Sequence, residues 1–280
     1  MTLGILLPLG GSLVDMAMHG QAERFVKYYL GAYSKVFFKI YIFSYQREKY
    51  KNLPRNCQLV CPPFAAHRYF YGLLLPFIHK NIFCSCDIFR CFHPSAAISA
   101  IVGKLFFGKK FIFNYNYDYL EWAKVEGKSY LVPFLFIQQW LAFKFCNSVF
   151  VADENMEKYA RKFVPSRKIT IIRNGVDTTV FRPLPRKKEK KEKIILSVGR
   201  LEPQKNYELL IRAVALLKNK ASILLVGRGA LKDKLGNLAK ELKVELQVIN
   251  VIPHLQLPEI YNRANIYVQT SFMEAPVKTL

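Results

Sequence analysis

Acidic residues are scarce in this chain of 280 residues, in which 20 Asp and Glu stand against 42 Lys and Arg, for a formal net charge of +22. The six aspartates are scattered, so no Asp-x-Asp pair is present to hold a divalent ion against a diphosphate. The cationic excess predicts an anionic partner, and nucleic acid, an anionic membrane face and phosphorylated substrates all meet that requirement.

Several site signatures are also missing from the sequence. The six cysteines include no pair with the two-residue spacing of zinc knuckles and redox motifs, so we expect free thiols in a reducing compartment. Cys84, Cys86 and Cys91 lie close together, either as a cluster or, as is commoner, as small buried hydrophobes. No Walker loop, nucleophile elbow or histidine pair at metal-ligand spacing occurs, and we expect no metal and no cofactor.

No apolar run is long enough for a bilayer span. The longest, 129–143, contains Pro133, Gln138 and Gln139 and falls short of about 20 apolar residues. The first eleven residues lack a basic stretch before their apolar run and predict a β-strand instead of a signal peptide. We therefore expect a cytoplasmic protein without a transmembrane helix.

Short apolar runs alternate with segments of helical length and period. This alternation predicts α/β architecture, with parallel sheets covered by helices on both faces. The predicted strands are 4–8, 35–44, 57–61, 87–92, 109–116, 148–153 and 168–175, followed by 194–199, 222–227, 246–250 and 266–271.

A run of charged residues, 186–193, interrupts the rhythm and predicts a linker, although a nucleic-acid patch has a similar composition. The predicted organisation is a Rossmann-like domain over 1–185, the charged linker, and a second Rossmann-like domain over 194–280. The second domain has four predicted strands, with helices over 206–218, 230–243 and 255–264, where a doubly wound domain usually has about six strands. We therefore expect this chain to be a fragment.

Loops that follow strands are where open α/β sheets bind ligands. In the second domain, Arg200 and Lys205 flank a Pro-containing turn that opens a helix. Two cations beside a helix N-terminus suit a diphosphate, although two solvated surface cations are the plainer interpretation. Glu274 follows the last predicted strand, where a carboxylate either complements a helix dipole or accepts hydrogen bonds from sugar hydroxyls.

Glycines follow strands in both domains. Gly10 and Gly11 come after the first strand, either to let the backbone approach a ligand or as a flexible turn. Gly227 and Gly229 follow a strand but lack the third glycine of a dinucleotide fingerprint, and predict a tight turn.

The second half of the chain resembles a known family in the order and spacing of its motifs. The motifs are NGVDTTVFRP (174–183), VGRLEPQKNYELLIRAV (198–214), LLVGRGALKDKL (224–235), LPEIYNRANIYVQTS (257–271) and MEAPVKTL (273–280). In this respect the chain resembles family 4 of the retaining GT-B glycosyltransferases. The resemblance is weaker over 1–167, where 20–30 is similar to the first helix and 87–94 to the fourth-strand region.

The resemblance implies transfer of a sugar from a nucleotide-sugar donor to a sugar, lipid-linked or polysaccharide acceptor, with retention of configuration and without a metal. By position, Arg200 and Lys205 match the pair that binds the donor diphosphate, beside Gly199. Glu274 matches the first glutamate of the Glu-x7-Glu signature, which contacts the donor sugar. Ile252 lies in the loop that meets the base.

On the acceptor side, Gly10 and Gly11 match the N-terminal loop that faces the phosphates and the acceptor. Two departures from the family pattern occur. The second glutamate of the signature falls beyond Leu280, which puts the activity of this chain in question. Relatives often carry a histidine after the fifth strand, where Asn116 and Asp118 stand here.

Two further interpretations of the function stay open. Another GT-B enzyme, such as a nucleotide-sugar 2-epimerase, shares the fold but is expected to show a different set of site residues from the pair Arg200 and Lys205. A basic nucleic-acid-binding protein fits the charge alone, without a recognisable motif, and we expect no nucleic-acid partner. Aromatic-rich helices over 69–80 and 129–145, with the charge of +22, indicate either core packing or peripheral attachment to the anionic inner face of the cell membrane.

Overall fold

The chain folds into two compact units in a computed structural model that describes residues 1–65, 67–184 and 193–272. The first unit contains Met1–Leu120 and Tyr130–Arg173, and the second contains Glu121–Ser129 and Asn174–Leu280. The division therefore lies before residue 174, whereas the charged run of the sequence predicts it after 185. Residues before 185 join the second unit because the Asn262 side chain hydrogen-bonds to the backbone of both Arg182 and Leu184.

Two sequence-based expectations concern residues that are mostly or wholly outside the described ranges. The charged linker predicted over 186–193 lies there except for Lys193, which is the first residue of strand β8. Glu274 also lies outside the described residues.

The first unit is built on a seven-stranded parallel sheet in the order β3-β2-β1-β4-β5-β6-β7. Its strands are rich in apolar residues because both faces of the sheet are covered. Alternate residues of β1 show this directly, since Ile5 packs in one core cluster and Leu6 in another. The strands are β1 (Thr2–Leu6), β2 (Lys39–Phe43), β3 (Cys57–Val60), β4 (Ile88–Cys91), β5 (Lys110–Tyr115), β6 (Ser148–Val151) and β7 (Ile169–Ile171).

Helices cover the two faces of this sheet in separate groups. The N-terminal helices share a core cluster with Ile5, Ile40 and Ile42, and α4 to α6, α8 and α9 share the other with Leu6, Phe89 and Phe111. The helices are α1 (Leu13–Met18), α2 (Ala22–Arg24), continuing through a π-helical segment (Phe25–Leu30) into α3 (Gly31–Tyr33), α4 (Arg68–Ile78), α5 (Lys80–Ser85), α6 (Ala97–Phe107), α7 (Tyr119–Val125), α8 (Val132–Phe145) and α9 (Glu154–Ala160).

The second unit contains a four-stranded parallel sheet in the order β10-β9-β8-β11. Its apolar core lies between the sheet and α10 and α11, where Ile211, Leu225 and Leu235 are fully buried. The elements are β8 (Lys193–Val198), α10 (Tyr207–Ala215), β9 (Ala221–Val226), α11 (Lys232–Glu241), β10 (Leu246–Ile249), α12 (Leu257–Arg263) and β11 (Ile266–Tyr267).

The order of the strands in each sheet determines which loops lie next to one another at the carboxyl ends of the strands. In each sheet the first strand lies between the second and the fourth, so successive crossovers leave it in opposite directions. The loops after the first and fourth strands therefore separate at a topological switch point, where open α/β sheets bind ligands. This point lies between β1 and β4 in the first unit and between β8 and β11 in the second.

All six cysteines are free, as the sequence predicts, and Cys86, Cys91 and Cys146 are buried. Within 1–65, 67–184 and 193–272, no group of three His, Cys, Asp or Glu side chains is arranged to hold a metal ion. Across the same ranges, every helix is too short or too polar to cross a bilayer.

Candidate functional site

The loop after β8 is a compact turn that leads into α10. Gly199 donates its backbone N–H to Val226 on the neighbouring strand, over 2.9 Å. Pro203 then starts a short 3-10 turn that ends at Lys205. Asn206 takes a left-handed conformation, with φ of 50°, and reverses the chain into α10. Asparagine tolerates this conformation better than most residues, so the turn follows from the local sequence.

The structure places the two predicted cations on this turn. The aliphatic part of Lys205 lies over Gly199, where an added Cβ would be 3.1 Å from Lys205 Cε. Arg200 forms an ion pair with Glu202, with 2.6 Å between Nη1 and Oε2, and donates from Nη2 to Gln204 Oε1 over 3.4 Å. The Arg200 side chain is 48% exposed, so its guanidinium is accessible to a ligand.

The loop after β9 packs directly on the loop after β8. Gly227 has a φ of 151°, and a Cβ there would overlap the carbonyl of Gly199. A Cβ on Gly229 would likewise overlap the carbonyl of Leu201, which accepts a hydrogen bond from the Leu231 N–H over 3.1 Å. The Gly227-x-Gly229 sequence thus lets the two backbones meet, as expected of a tight turn.

The loop after β11 is hydrogen-bonded to the same turn. Thr270 donates its hydroxyl to the carbonyls of Lys205 and Asn206, over 3.0 and 2.9 Å. The backbone N–H of Phe272 donates to the Gln204 carbonyl over 3.0 Å. These bonds hold the loops on either side of the β8–β11 switch point together, next to Arg200 and Lys205.

A carboxylate also contacts this turn. Glu126, which follows α7 and belongs to the second unit, accepts a hydrogen bond from the Gln204 backbone N–H over 3.2 Å. Gln204 itself is 2% exposed. The sequence does not predict this contact, because Glu126 and Gln204 are far apart in the chain and no motif links the two residues.

Ile252 lies elsewhere in the second unit. It follows β10, at the edge of the sheet, and packs against a buried cluster that includes Leu224 and Val226. It shares the carboxyl edge of the sheet with the turn after β8 because all four strands are parallel.

Glycine geometry also shapes the loop after β1 in the first unit. Gly10 has a φ of 82°, which favours glycine, and a Cβ there would be 2.9 Å from Arg68 Cδ. Gly11 donates its N–H to Pro8 and accepts a hydrogen bond from the N–H of Tyr45. The two predicted glycines therefore form a fixed turn at the carboxyl end of β1.

A histidine that sequence reasoning did not select lies beside this turn. His93 follows β4, and its Nδ1 accepts a hydrogen bond from the Ser95 backbone N–H over 3.1 Å, so the ring proton lies on Nε2. The Ser95 hydroxyl in turn accepts from the Leu9 N–H, joining the loops after β1 and β4. Burial lowers the pKa of His93 to about 4, so its imidazole is neutral at pH 7. A lone histidine carries no spacing pattern by which the sequence could mark it.

Asn116 and Asp118 follow β5, the neighbouring strand. Asn116 Oδ1 is buried, without a hydrogen-bond partner among the residues that the structure describes. Asp118 accepts a hydrogen bond from the Leu120 N–H over 3.1 Å, at the start of α7. The Tyr119 ring meets the His93 ring at 4.4 Å between centroids, so the loops after β4 and β5 also touch.

Each unit thus has polar and glycine-rich loops gathered at the switch point of its own sheet. In the second unit these loops present an arginine, a lysine and a fixed backbone turn, which together suit an anionic group such as a diphosphate. In the first unit they present a neutral imidazole and an unsatisfied amide oxygen, which suit polar, uncharged groups.

Comparison with known proteins identifies similar sequences. Residues 182–276 match the family model described as glycosyl transferases group 1. A Campylobacter jejuni N-acetylgalactosamine-N,N'-diacetylbacillosaminyl-diphospho-undecaprenol 4-alpha-N-acetylgalactosaminyltransferase is 39% identical over 97 residues, which cover 34% of this chain and 27% of the relative. A Mycolicibacterium smegmatis GDP-mannose-dependent alpha-(1-6)-phosphatidylinositol monomannoside mannosyltransferase is 27% identical over 131 residues, covering 42% of this chain and 34% of the relative.

Solved structures resemble the whole chain. Sucrose-phosphate synthase from Thermosynechococcus elongatus matches with a TM-score of 0.74 at 17% identity, covering 98% of this chain and 76% of that one. HepE of Anabaena, in complex with UDP and glucose, matches with a TM-score of 0.67 at 15% identity, covering 99% and 76%. The stretches matched in the two curated relatives span about a third of their length or less. In its second half the chain therefore matches the glycosyl transferases group 1 family, and its fold, α/β with parallel sheets, is that of the GT-B glycosyltransferases.

Proposed function

We propose that this protein is a glycosyltransferase that transfers a sugar from a nucleotide-sugar donor to a sugar-containing acceptor. The observation that carries the proposal is the turn after β8, where Arg200 and Lys205 stand at the switch point of the second sheet. The match of residues 182–276 to glycosyl transferases group 1 covers this turn.

In the proposed reaction, the bond between the sugar's anomeric carbon and the diphosphate breaks while the oxygen of an acceptor hydroxyl bonds to that carbon and gives its proton to the departing diphosphate. The departing diphosphate gains negative charge, which Arg200 and Lys205 neutralise. We propose that these two cations do so without a metal ion and that Gly199 lets Lys205 lie close to the phosphates. Glu274 and Ile252 are proposed to contact the donor sugar and the base.

The proposal includes retention of configuration at the anomeric carbon and a lipid-linked acceptor. Retention at the anomeric carbon follows from the resemblance to the retaining enzymes. A lipid-linked acceptor is supported by the names of two relatives, which act on a diphospho-undecaprenol-linked sugar and on a phosphatidylinositol mannoside. Gly10, Gly11, Asn116 and Asp118 are proposed to line the acceptor side, together with His93.

The proposal is tested by nucleotide binding to the full chain. Calorimetry with UDP, GDP, ADP, CMP and free phosphate is expected to show one preferred nucleoside diphosphate. Arg200→Ala and Lys205→Ala should each weaken its binding by more than about tenfold, since a charge-assisted hydrogen bond contributes about 1.5–3 kcal/mol. Arg212→Ala serves as the matched control, because Arg212 is an exposed cation in the last turn of α10. Equal binding by all four proteins would contradict the proposed site.

A further inference from the structure

Helix α8 is apolar on its outer side as well as at Leu135, Ala142 and Phe143, which are buried. It buries its two glutamines, Gln138 and Gln139, which are 6% and 1% exposed. On its outer side Phe134, Ile137 and Trp140 are 45%, 54% and 40% exposed. A helix that faces water normally has polar residues on its outer side. The outer side of α8 is therefore suited to an apolar environment.

Helix α4 carries a second apolar stripe on the surface. Phe70, Leu73 and Phe77 follow one another at helical spacing and are all at least 42% exposed. The opposite side of the helix holds Tyr71 and Leu75, which are buried in the core of the first unit. The stripe is thus additional to the apolar face that packs on the sheet.

The two stripes belong to one surface. The Tyr69 ring of α4 meets the Phe134 ring of α8 at 6.0 Å between centroids. The Phe77 ring of α4 meets the Phe106 ring of α6 at 5.1 Å, and Phe106 is 66% exposed. We call this the aromatic surface; its principal members are Phe70, Leu73, Phe77, Phe106, Phe134 and Trp140. A continuous exposed apolar surface marks an interaction site, whereas single exposed apolar residues do not.

The helices that form the aromatic surface, and α5 beside them, carry charged residues of one sign. The sequences of α4, α5, α6 and α8 contain no Asp or Glu. The Lys144 ammonium lies 4.8 Å from the Trp140 ring centroid, and the Arg68 guanidinium lies 5.4 Å from the Tyr69 centroid. Lys80 and Lys110 are exposed at the ends of neighbouring elements. Aromatic residues flanked by cations match the interfacial region of an anionic bilayer, where rings lie at headgroup depth and cations meet phosphates.

We infer that the aromatic surface of α4, α6 and α8 docks the first unit on an anionic phospholipid membrane. The inference depends on the first unit alone and does not require that the protein transfer sugars. If the proposed function also holds, docking would bring the first unit to the membrane in which a lipid-linked acceptor resides.

The test is vesicle flotation with the full chain, without donor or acceptor. Vesicles of phosphatidylcholine with about a third phosphatidylglycerol are compared with vesicles of phosphatidylcholine alone, at low and at high salt. We expect binding to the anionic vesicles that weakens as salt rises, because exposed charges are screened over about 8 Å at physiological ionic strength. Absence of binding to the anionic vesicles by the folded chain would overturn the inference.

Substitutions in the aromatic surface test whether this surface is the part of the protein that contacts the vesicles. Phe70→Gln, Leu73→Gln, Phe134→Gln and Trp140→Gln together should weaken vesicle binding by at least about tenfold, since each removes exposed apolar area that the bilayer would cover. The matched control is Val36→Gln with Phe38→Gln. These residues are 77% and 84% exposed in the same unit but follow α3, which packs on the opposite face of the sheet. Equal loss in both variants, or in neither, would overturn the assignment.

Substitution of lysines tests the electrostatic part of vesicle binding separately from the apolar part. Lys80→Glu with Lys144→Glu should abolish the preference for anionic vesicles, while Lys218→Glu with Lys232→Glu, in the second unit, should leave it in place. Circular dichroism confirms folding of each variant. Sedimentation tests the competing occupant, a second copy of the chain. Self-association that is lost in the glutamine variant, without vesicle binding by the parent chain, would overturn the inference.

Discussion

At the residue scale, the glycines after β9 test how closely the site loops must pack. Gly227→Ala should destabilise the second unit by at least about 2 kcal/mol, because the Cβ would overlap the Gly199 carbonyl and Gly227 has a φ of 151°. Gly236→Ala is the matched control. It lies within α11 with nothing within 4 Å of its added Cβ, and should stabilise by about 0.5–1 kcal/mol.

Denaturant unfolding can measure both glycine variants through Trp122, which belongs to the second unit. A Trp140→Phe background removes the other tryptophan. Gly227→Ala as stable as the parent would show that the loops after β8 and β9 are not in backbone contact.

His93 predicts a pH dependence of stability in the first unit. Burial lowers the pKa of His93 from 6.5 to about 4 in the folded chain. Between these values the unfolded chain binds a proton that the folded chain does not, so the free energy of unfolding falls as pH falls from about 6.5 to about 4. The loss attributable to His93 should approach about 3 kcal/mol.

His93→Asn isolates this effect, because its amide oxygen can still accept the Ser95 N–H but does not titrate. The variant should lose less stability than the parent over the same pH range. Trp140 fluorescence in a Trp122→Phe background reports on the first unit. Parallel pH profiles for the parent and for His93→Asn would contradict the buried, neutral imidazole.

At the element scale, the two buried glutamines of α8 should respond differently to the same substitution. Gln138 Nε2 and Gln139 Oε1 are both buried without a partner in the described part of the chain, but Gln139 Nε2 donates to Tyr159 Oη over 2.9 Å. Gln138→Met should raise the free energy of unfolding by about 1 kcal/mol, since it removes an unsatisfied buried donor. Gln139→Met should give no such gain, because the removal of its unsatisfied oxygen is offset by the loss of the hydrogen bond to Tyr159. Thermal unfolding of the two variants measures the difference, and an equal gain in both would contradict these assignments.

The strands were the most predictable elements of the fold. Each of the eleven predicted runs overlaps a strand, because each run is apolar enough to lie inside a covered parallel sheet. Their ends were less predictable. The run 35–44 begins before β2, and Val36 and Phe38 are largely exposed, since apolar composition alone does not distinguish a strand from the turn before it. The run 266–271 extends beyond β11 into the loop that is hydrogen-bonded to the turn after β8.

The candidate site was predictable only where it is local in sequence. Arg200 and Lys205 stand on either side of one turn, so their proximity follows from the chain itself. Contacts between loops could not be predicted. Glu126 with Gln204, Thr270 with Lys205 and Asn206, and Ser95 with Leu9 depend on which strand lies beside which, and no spacing within one segment encodes that.

At the scale of the whole molecule, the proposed chemistry predicts that sugar transfer does not require a metal ion. If Arg200 and Lys205 neutralise the departing diphosphate, sugar transfer should be unchanged in EDTA and should not rise when Mn²⁺ is added. Turnover is measured after dialysis against EDTA and again after addition of Mn²⁺ or Mg²⁺. Loss of activity on chelation with recovery on Mn²⁺ would assign the neutralising role to a metal instead.

Release of a nucleoside diphosphate from a nucleotide sugar measures the proposed sugar transfer itself. The full chain is incubated with UDP-, GDP- and ADP-sugars, with and without membrane extract as the source of acceptor, and the released diphosphate and glycosylated product are measured. We expect acceptor-dependent release from one donor class. In Arg200→Ala and in Lys205→Ala, kcat/KM should fall by a factor that corresponds to about 1.5–3 kcal/mol of transition-state stabilisation, and it should be unchanged in Arg212→Ala. Release that is the same in all four proteins would contradict the proposal.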